Sequence, residues 1–141
     1  SIGVNIFFEL NKKLASLMND KTGYEVCIEE RHHQHKLDKP SGTAIMLAEG
    51  IISNLKRKSS WTTTPSAGLG AGHGAGNTSV LISSVREGDV PGTHTVSYDS
   101  EIDTIEIKHT AKNRTGFALG AVRAAEYIIE KKGVFTMKDI L

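Results

Sequence analysis

The chain has 141 residues, a formal net charge of +1, 38% hydrophobic and 23% charged residues. That is the profile of one ordinary globular domain, and it excludes a disordered chain or a strongly basic nucleic-acid footprint over the whole length. The single cysteine, Cys27, excludes an intrachain disulfide and favours a reducing, cytoplasmic setting.

No apolar run approaches the roughly 18 residues of a membrane span. The opening Ser1-Ile2-Gly3-Val4 is neither a signal peptide nor a start methionine, so the chain reads as a piece of something longer.

Phe7, Leu10, Leu14, Leu17 and Met18 recur at helical spacing and predict an amphipathic helix over Val4 to Met18, stopped by the polar turn Asn19 to Gly23. Tyr24, Val26 and Ile28 alternate with Glu25, Cys27 and Glu29, which is strand periodicity. Continued, that strand brings out Glu30 and His32 on the apolar face, with Arg31 and His33 on the other. Pro40 interrupts regular structure. Ser41 then caps a helix whose stripe is Ala44, Leu47, Ala48, Ile51, Ile52 and Leu55, with Lys56-Arg57-Lys58 at the negative end of its dipole.

From Ser59 to Ser79 the periodicity dissolves. Residues 67–79 include the run Ala67-Gly68-Leu69-Gly70-Ala71-Gly72-His73-Gly74-Ala75-Gly76, expected to be a mobile loop or an engineered joint. No strand leads into it and no periodic helix follows, so a dinucleotide fingerprint is rejected there. Val80–Arg86, His94–Tyr98 and Thr104–Thr110 read as three further strands, and Phe117–Glu130 as a final helix rich in small residues. Strands grouped together with helices around them predict an α+β fold: a mostly antiparallel or mixed four-stranded sheet with helices packed on one face.

The chemistry concentrates in Glu30-Arg31-His32-His33-Gln34-His35-Lys36-Leu37-Asp38-Lys39-Pro40-Ser41-Gly42-Thr43-Ala44. Three imidazoles and three permanent cations fall between Arg31 and Lys39 and run straight into a helix-opening turn. Histidine holds and releases protons near neutral pH. Glu30 is placed to orient the His32 ring and favour its imidazolium.

Lys36 stands among cations that ease loss of its proton. The Ser41-Gly42-Thr43 turn offers helix N-terminal N–H groups to a carboxylate, and Gly42 admits a close approach. The spacing of His32, His33 and His35 is not that of a helical zinc pair, no clustered Cys or carboxylate completes a set, and neighbouring lysines oppose a dication, so no metal is expected. Taken singly, each of these residues also reads as a surface histidine, a solvated lysine or a plain helix cap.

The stretch Glu30 to Ala44 resembles the E-x-H-H-x-x-K-x-D-x-P-S-G-T-A signature of the 4-hydroxy-tetrahydrodipicolinate reductase (dihydrodipicolinate reductase) family. Val85-Arg86-Glu87-Gly88-Asp89-Val90-Pro91-Gly92-Thr93-His94 resembles its R-x-G-x-x-x-G-x-H segment, while Ile107–Ala111, Phe117–Ala125 and Gly133–Leu141 resemble its closing strand, helix and tail. The resemblance implies a substrate-binding and oligomerisation domain over 1–133, and a tail over 134–141 that returns to a dinucleotide-binding domain lacking here. Residues 67–79 depart from the family's G-x-T-G-x-R loop.

It further implies His32 as catalytic acid/base, Lys36 as proton donor, and His33, Ser41, Gly42 and Thr43 as binding the carboxylates of a small dicarboxylate. The implied cofactor is NADPH or NADH, the implied product tetrahydrodipicolinate on the diaminopimelate route to lysine, and the implied assembly a homotetramer. Neither nucleic acid nor membrane is an expected partner: no aromatic lies between Arg31 and Lys39 to stack on bases. The rival readings are a non-catalytic oligomerisation module and an anion-binding module.

Overall fold

The structure, a computed structural model, describes residues 1–63 and 77–141. The glycine-rich run falls within 64–76 and lies outside the described residues, as does most of the mobile loop or engineered joint expected over 67–79; of its last residues, Ser79 already belongs to a strand. In chain order the elements are α1 (Ile2–Leu17), β1 (Glu25–His32), α2 (Gly42–Ile52), β2 (Ser60–Thr63), β3 (Ser79–Arg86), β4 (Thr93–Asp99), β5 (Thr104–Thr110) and α3 (Thr115–Ile128), with a 3₁₀ turn at Met137–Asp139 in the tail.

The fold is α+β as expected, but the mixed sheet has five strands rather than four, in the order β2-β3-β1-β4-β5. The additional strand, Ser60-Trp61-Thr62-Thr63, pairs parallel with β3. It is short and has no apolar alternation, so only its place beside β3 reveals it. β1 sits at the centre, parallel to β3 and antiparallel to β4.

The pleat sends alternate β1 side chains to opposite faces. Val26 and Ile28, with their cross-strand partners Ile82, Val96 and Tyr98, form an apolar layer. Phe7 and Ala15 of α1 and Ala44, Leu47, Ala48 and Ile51 of α2 pack into the same core. Two helices thus cover one face. Asn11 on α1 is fully buried and donates to Leu47 O at 2.9 Å, joining the helices through a satisfied amide N–H. The opposite face carries Cys27, Glu29, Ser97 and Glu106, with Ser97 donating to Glu106 at 2.9 Å.

The basic run after α2 does not serve the helix dipole. α2 ends at Ile52, so Arg57 and Lys58 lie beyond its last turn. Arg57 instead donates to Met18 O (2.8 Å) and Tyr24 O (2.7 Å), bracing the α1–β1 connection. Lys58 is buried against Glu25 (2.6 Å) at the start of β1. In the tail, Lys138 reaches back to Glu9 of α1 at 3.2 Å. Among the described residues no helix is long and apolar enough to cross a membrane.

Candidate active site

The apolar core changes character one pleat beyond Ile28. The next position on that face is Glu30, flanked by Ser84 on β3 and His94 on β4, with His109 beyond on β5. One pleat further come His32 and Arg86, paired in register. A polar layer therefore crosses the sheet where β1 ends and the chain turns toward α2.

Glu30 is completely buried and donors from three segments converge on it. Arg86 grips it with two nitrogens, Nη1 to Oε2 at 3.0 Å and Nη2 to Oε1 at 2.8 Å. The Ser41 N–H donates to Oε1 at 3.3 Å, and His32 Nδ1 hydrogen-bonds Oε2. Burial pushes the Glu30 carboxyl up, but the Arg86 guanidinium and the other donors outweigh it and hold the group below the usual carboxylate range.

An ionised carboxylate only accepts, so Nδ1 of His32 carries the proton and Nε2 presents its lone pair. Burial, assisted by the charges of Lys36 and Arg86, lowers the His32 pKa despite the opposing pull of Glu30. The imidazolium that Glu30 alone would favour is thereby disfavoured, because desolvation exceeds the attraction of a carboxylate already neutralised by Arg86.

Gly92 lies beside that ring. Its φ is +151°, and a Cβ there would stand 3.0 Å from His32 Nε2, so hydrogen alone leaves this flank of the nitrogen clear. His94 packs edge-on to His32 at 5.0 Å between centroids. Burial pushes its pKa down to about 4, aided by the charge of His32.

Ser41 caps α2 as the sequence predicts, and its side chain is also engaged by a second partner. Its hydroxyl is buried, accepts from Ala44 N–H at 3.3 Å as the N-cap and meets His94 Nε2 at 3.0 Å. The Ser41 side chain is engaged within the protein. What the turn offers an anion is the backbone: the first-turn N–H groups of Gly42 and Thr43 have no hydrogen-bond partner among the described residues. The space beside Gly42 is open, since a Cβ there would meet nothing within 4 Å.

Lys36 enters the cluster from the β1–α2 loop. Its ammonium lies 2.8 Å from Asp38 Oδ1 and its charge is felt at His32. His33 faces elsewhere: its Nε2 lies 3.1 Å from Arg114 Nη2, on the wall of an open depression of about 520 Å³ that His35, Asp89, Lys112 and Asn113 also line. The structure thus gathers His32 and the Ser41–Thr43 turn around Glu30, sets Lys36 within their field, and puts His33 on an adjoining wall.

Sequence reasoning left Arg86, Gly92 and His94 without roles, although all three lie in the R-x-G-x-x-x-G-x-H segment. Their signal was the family motif; their function depends on the β1–β3 and β1–β4 registers.

Glu30, His32 and His94 also bring three potential ligand atoms within 4.8 Å of one another. Both Glu30 oxygens are engaged by Arg86, whose permanent charge lies where a dication would add its own, so the donor set suits a proton network better than a metal.

Comparison with known proteins adds the decisive observation. The model of the family described as "Dihydrodipicolinate reductase, C-terminus" matches residues 3–141. The chain belongs to this family. It is 53% identical over 141 residues to the 4-hydroxy-tetrahydrodipicolinate reductase of Christiangramia forsetii, covering 100% of this chain and 55% of that protein. It is 41% identical over 142 residues to the enzyme of the same name from Thermosipho africanus, covering 100% of this chain and 52% of that protein.

Among solved structures it resembles a dipicolinate-bound dihydrodipicolinate reductase from Paenisporosarcina sp. TG-14, with a TM-score of 0.64, 28% identity, and coverage of 98% of this chain and 52% of that one. The chain spans about half the length of the curated relatives it matches.

Proposed function

We propose that this chain is the substrate-handling half of a 4-hydroxy-tetrahydrodipicolinate reductase, converting 4-hydroxy-tetrahydrodipicolinate, NAD(P)H and a proton to tetrahydrodipicolinate, NAD(P)+ and water in lysine and diaminopimelate biosynthesis. One observation carries the reading: a neutral histidine with its Nε2 lone pair presented, a lysine ammonium within its field, and the free N–H groups of Gly42 and Thr43 belong to one loop-to-helix junction. The dipicolinate-bound relative supports a planar dicarboxylate ring as the ligand class.

Loss of the 4-hydroxyl as water leaves a conjugated imine; hydride addition to it builds electron density that a proton must quench, and fixed cations and N–H groups hold the carboxylates in a reactive pose. In this reading the Gly42–Thr43 turn clamps one carboxylate, and His33 beside Arg114 meets the other. Lys36 supplies the proton, while His32 Nε2 accepts and returns one. Nothing among the described residues fits a dinucleotide: the β1–α2 turn lacks the glycine spacing of a pyrophosphate cradle, and residues 64–76 lie outside them. NADPH or NADH is therefore assigned to the part of the relatives this chain does not cover, and the steps here concern substrate alone. The polar sheet face of Cys27, Ser97 and Glu106 is assigned to association into a homotetramer, in the cytoplasm.

The test is turnover in a chain carrying both halves. His32→Gln and Lys36→Ala should each lower kcat by ~10²–10⁴-fold, the scale of general acid–base catalysis. Near-normal turnover in both variants would overturn the assignment and leave an anion-binding or association module.

A further inference from the structure

The guanidinium of Arg86 ties its own strand β3 to two other stretches of chain, β1 and the β1–α2 loop. It grips Glu30 on β1 with two nitrogens, its Nε donates to Lys36 O at 3.3 Å, and its Nη2 also donates to Asp38 O at 2.6 Å. Glu30 in turn holds His32 Nδ1 and the Ser41 N–H.

Arg86 and Glu30 are almost wholly removed from solvent, with side chains 7% and 0% exposed. A buried ion pair is weak evidence for stability, since well-packed apolar residues of similar volume often serve as well or better. Such residues occupy this same face one pleat earlier, at Ile28 and Ile82. The change from apolar to ionic pairing occurs where the chain places its proton-carrying groups.

We propose that the Arg86–Glu30 pair is a positioning device for the reaction assigned above: it holds His32 in its Nδ1–H tautomer and pins the Lys36-bearing loop to the same strand end, presenting both groups as one unit. Neither residue touches substrate. The inference rests on the proposed function for its catalytic consequence, but the tautomer is readable without turnover.

The groups that face His32 are Glu30 from its own strand, Arg86 from β3, His94 from β4 and Lys36 from the following loop. Glu30 alone favours the protonated ring; Arg86, Lys36 and burial oppose it. Removing the carboxylate therefore pushes the His32 titration to lower pH, a consequence that loss of packing alone does not have.

The experiment takes the chain carrying both halves, wild type, Glu30→Gln and the double variant Glu30→Gln/Arg86→Gln, which keeps an uncharged amide pair should the single variant unfold. Nitrogen-15 NMR of the His32 ring in the wild type should show one tautomer, protonated at Nδ1; a mixture or the Nε2–H form overturns the proposal. In whichever variant folds, kcat should fall by about 10–100-fold, the scale of losing an outer hydrogen-bond partner, with KM within about threefold. The His32 limb of the pH profile should move to lower pH.

A lower melting temperature with unchanged tautomer, pH limb and kcat reduces the pair to a structural contact and overturns the inference. A wild type that neither reduces the substrate nor binds dipicolinate, yet shows the Nδ1–H ring, overturns the function while leaving the positioning intact.

Discussion

Gly92 leaves His32 Nε2 open on one flank: the missing Cβ would stand 3.0 Å from Nε2, and the backbone holds a φ of +151° that side-chain-bearing residues rarely adopt. Gly92→Ala therefore carries two penalties, backbone strain of roughly 1–3 kcal/mol and displacement of the ring. The expected result is a lower urea midpoint together with weakened dipicolinate binding. Unchanged binding would mean that Nε2 does not face the ligand.

Gly42 borders open space at the start of α2. A Cβ at this position meets nothing of the protein, and the residue opens α2 with an ordinary backbone. Gly42→Ala should leave stability within about 1 kcal/mol, or raise it. It should nevertheless weaken dipicolinate binding by about tenfold or more, because the methyl enters the space an anion needs to reach the N–H groups. Calorimetry and thermal melts on the same variant check both halves.

Ser41→Ala removes the N-cap of α2 and the hydroxyl that meets His94. Loss of a serine cap costs about 1 kcal/mol, and stranding a buried imidazole adds about 1–3 kcal/mol. The expected outcome is a fall in stability of about 2–4 kcal/mol by urea titration, larger than for a cap on an exposed helix.

The stability of the chain should depend on pH through His94. Its pKa is held down to about 4 by burial, against about 6.5 in an unfolded chain. Between those values the unfolded state binds the proton that the folded state refuses. Stability is then fully present above pH ~6.5 and declines as pH falls to about 4, by on the order of 2–3 kcal/mol. Burial also lowers His32 and His109, so they act in the same direction. Urea titrations across this range should show the decline, and His94→Asn should make it shallower, leaving the part due to His32 and His109.

Much of this architecture was legible in the residues. The stripe from Ala44 to Leu55 and the alternation of Tyr24 to Ile28 reported a helix and a strand with one buried face each. The same alternation placed Glu30 and His32 together on the core side. Ser60–Thr63 was not legible, because four residues without alternation become a strand only when β3 lies alongside.

The electrostatics of the site were legible only in part. That Glu30 orients His32 followed from a spacing of two on one strand; that the ring stays neutral did not. Its protonation is decided by burial and by Arg86, a residue 56 positions from Glu30 that only the β1–β3 register brings close. Ser41 was recognised as a cap, yet its engagement with His94 required β4 in place. Local patterns carried the elements, whereas long-range pairing carried the proton chemistry.

A crystal structure of a chain carrying both halves, bound to dipicolinate, decides whether this loop-to-helix junction holds substrate. One carboxylate should lie within hydrogen-bond distance of the Gly42 and Thr43 N–H groups, with the ring between His32 Nε2 and Lys36 Nζ. Dipicolinate seated elsewhere, for example in the open depression lined by Lys21, Tyr24 and Ile102 at the other end of the sheet, would contradict this placement.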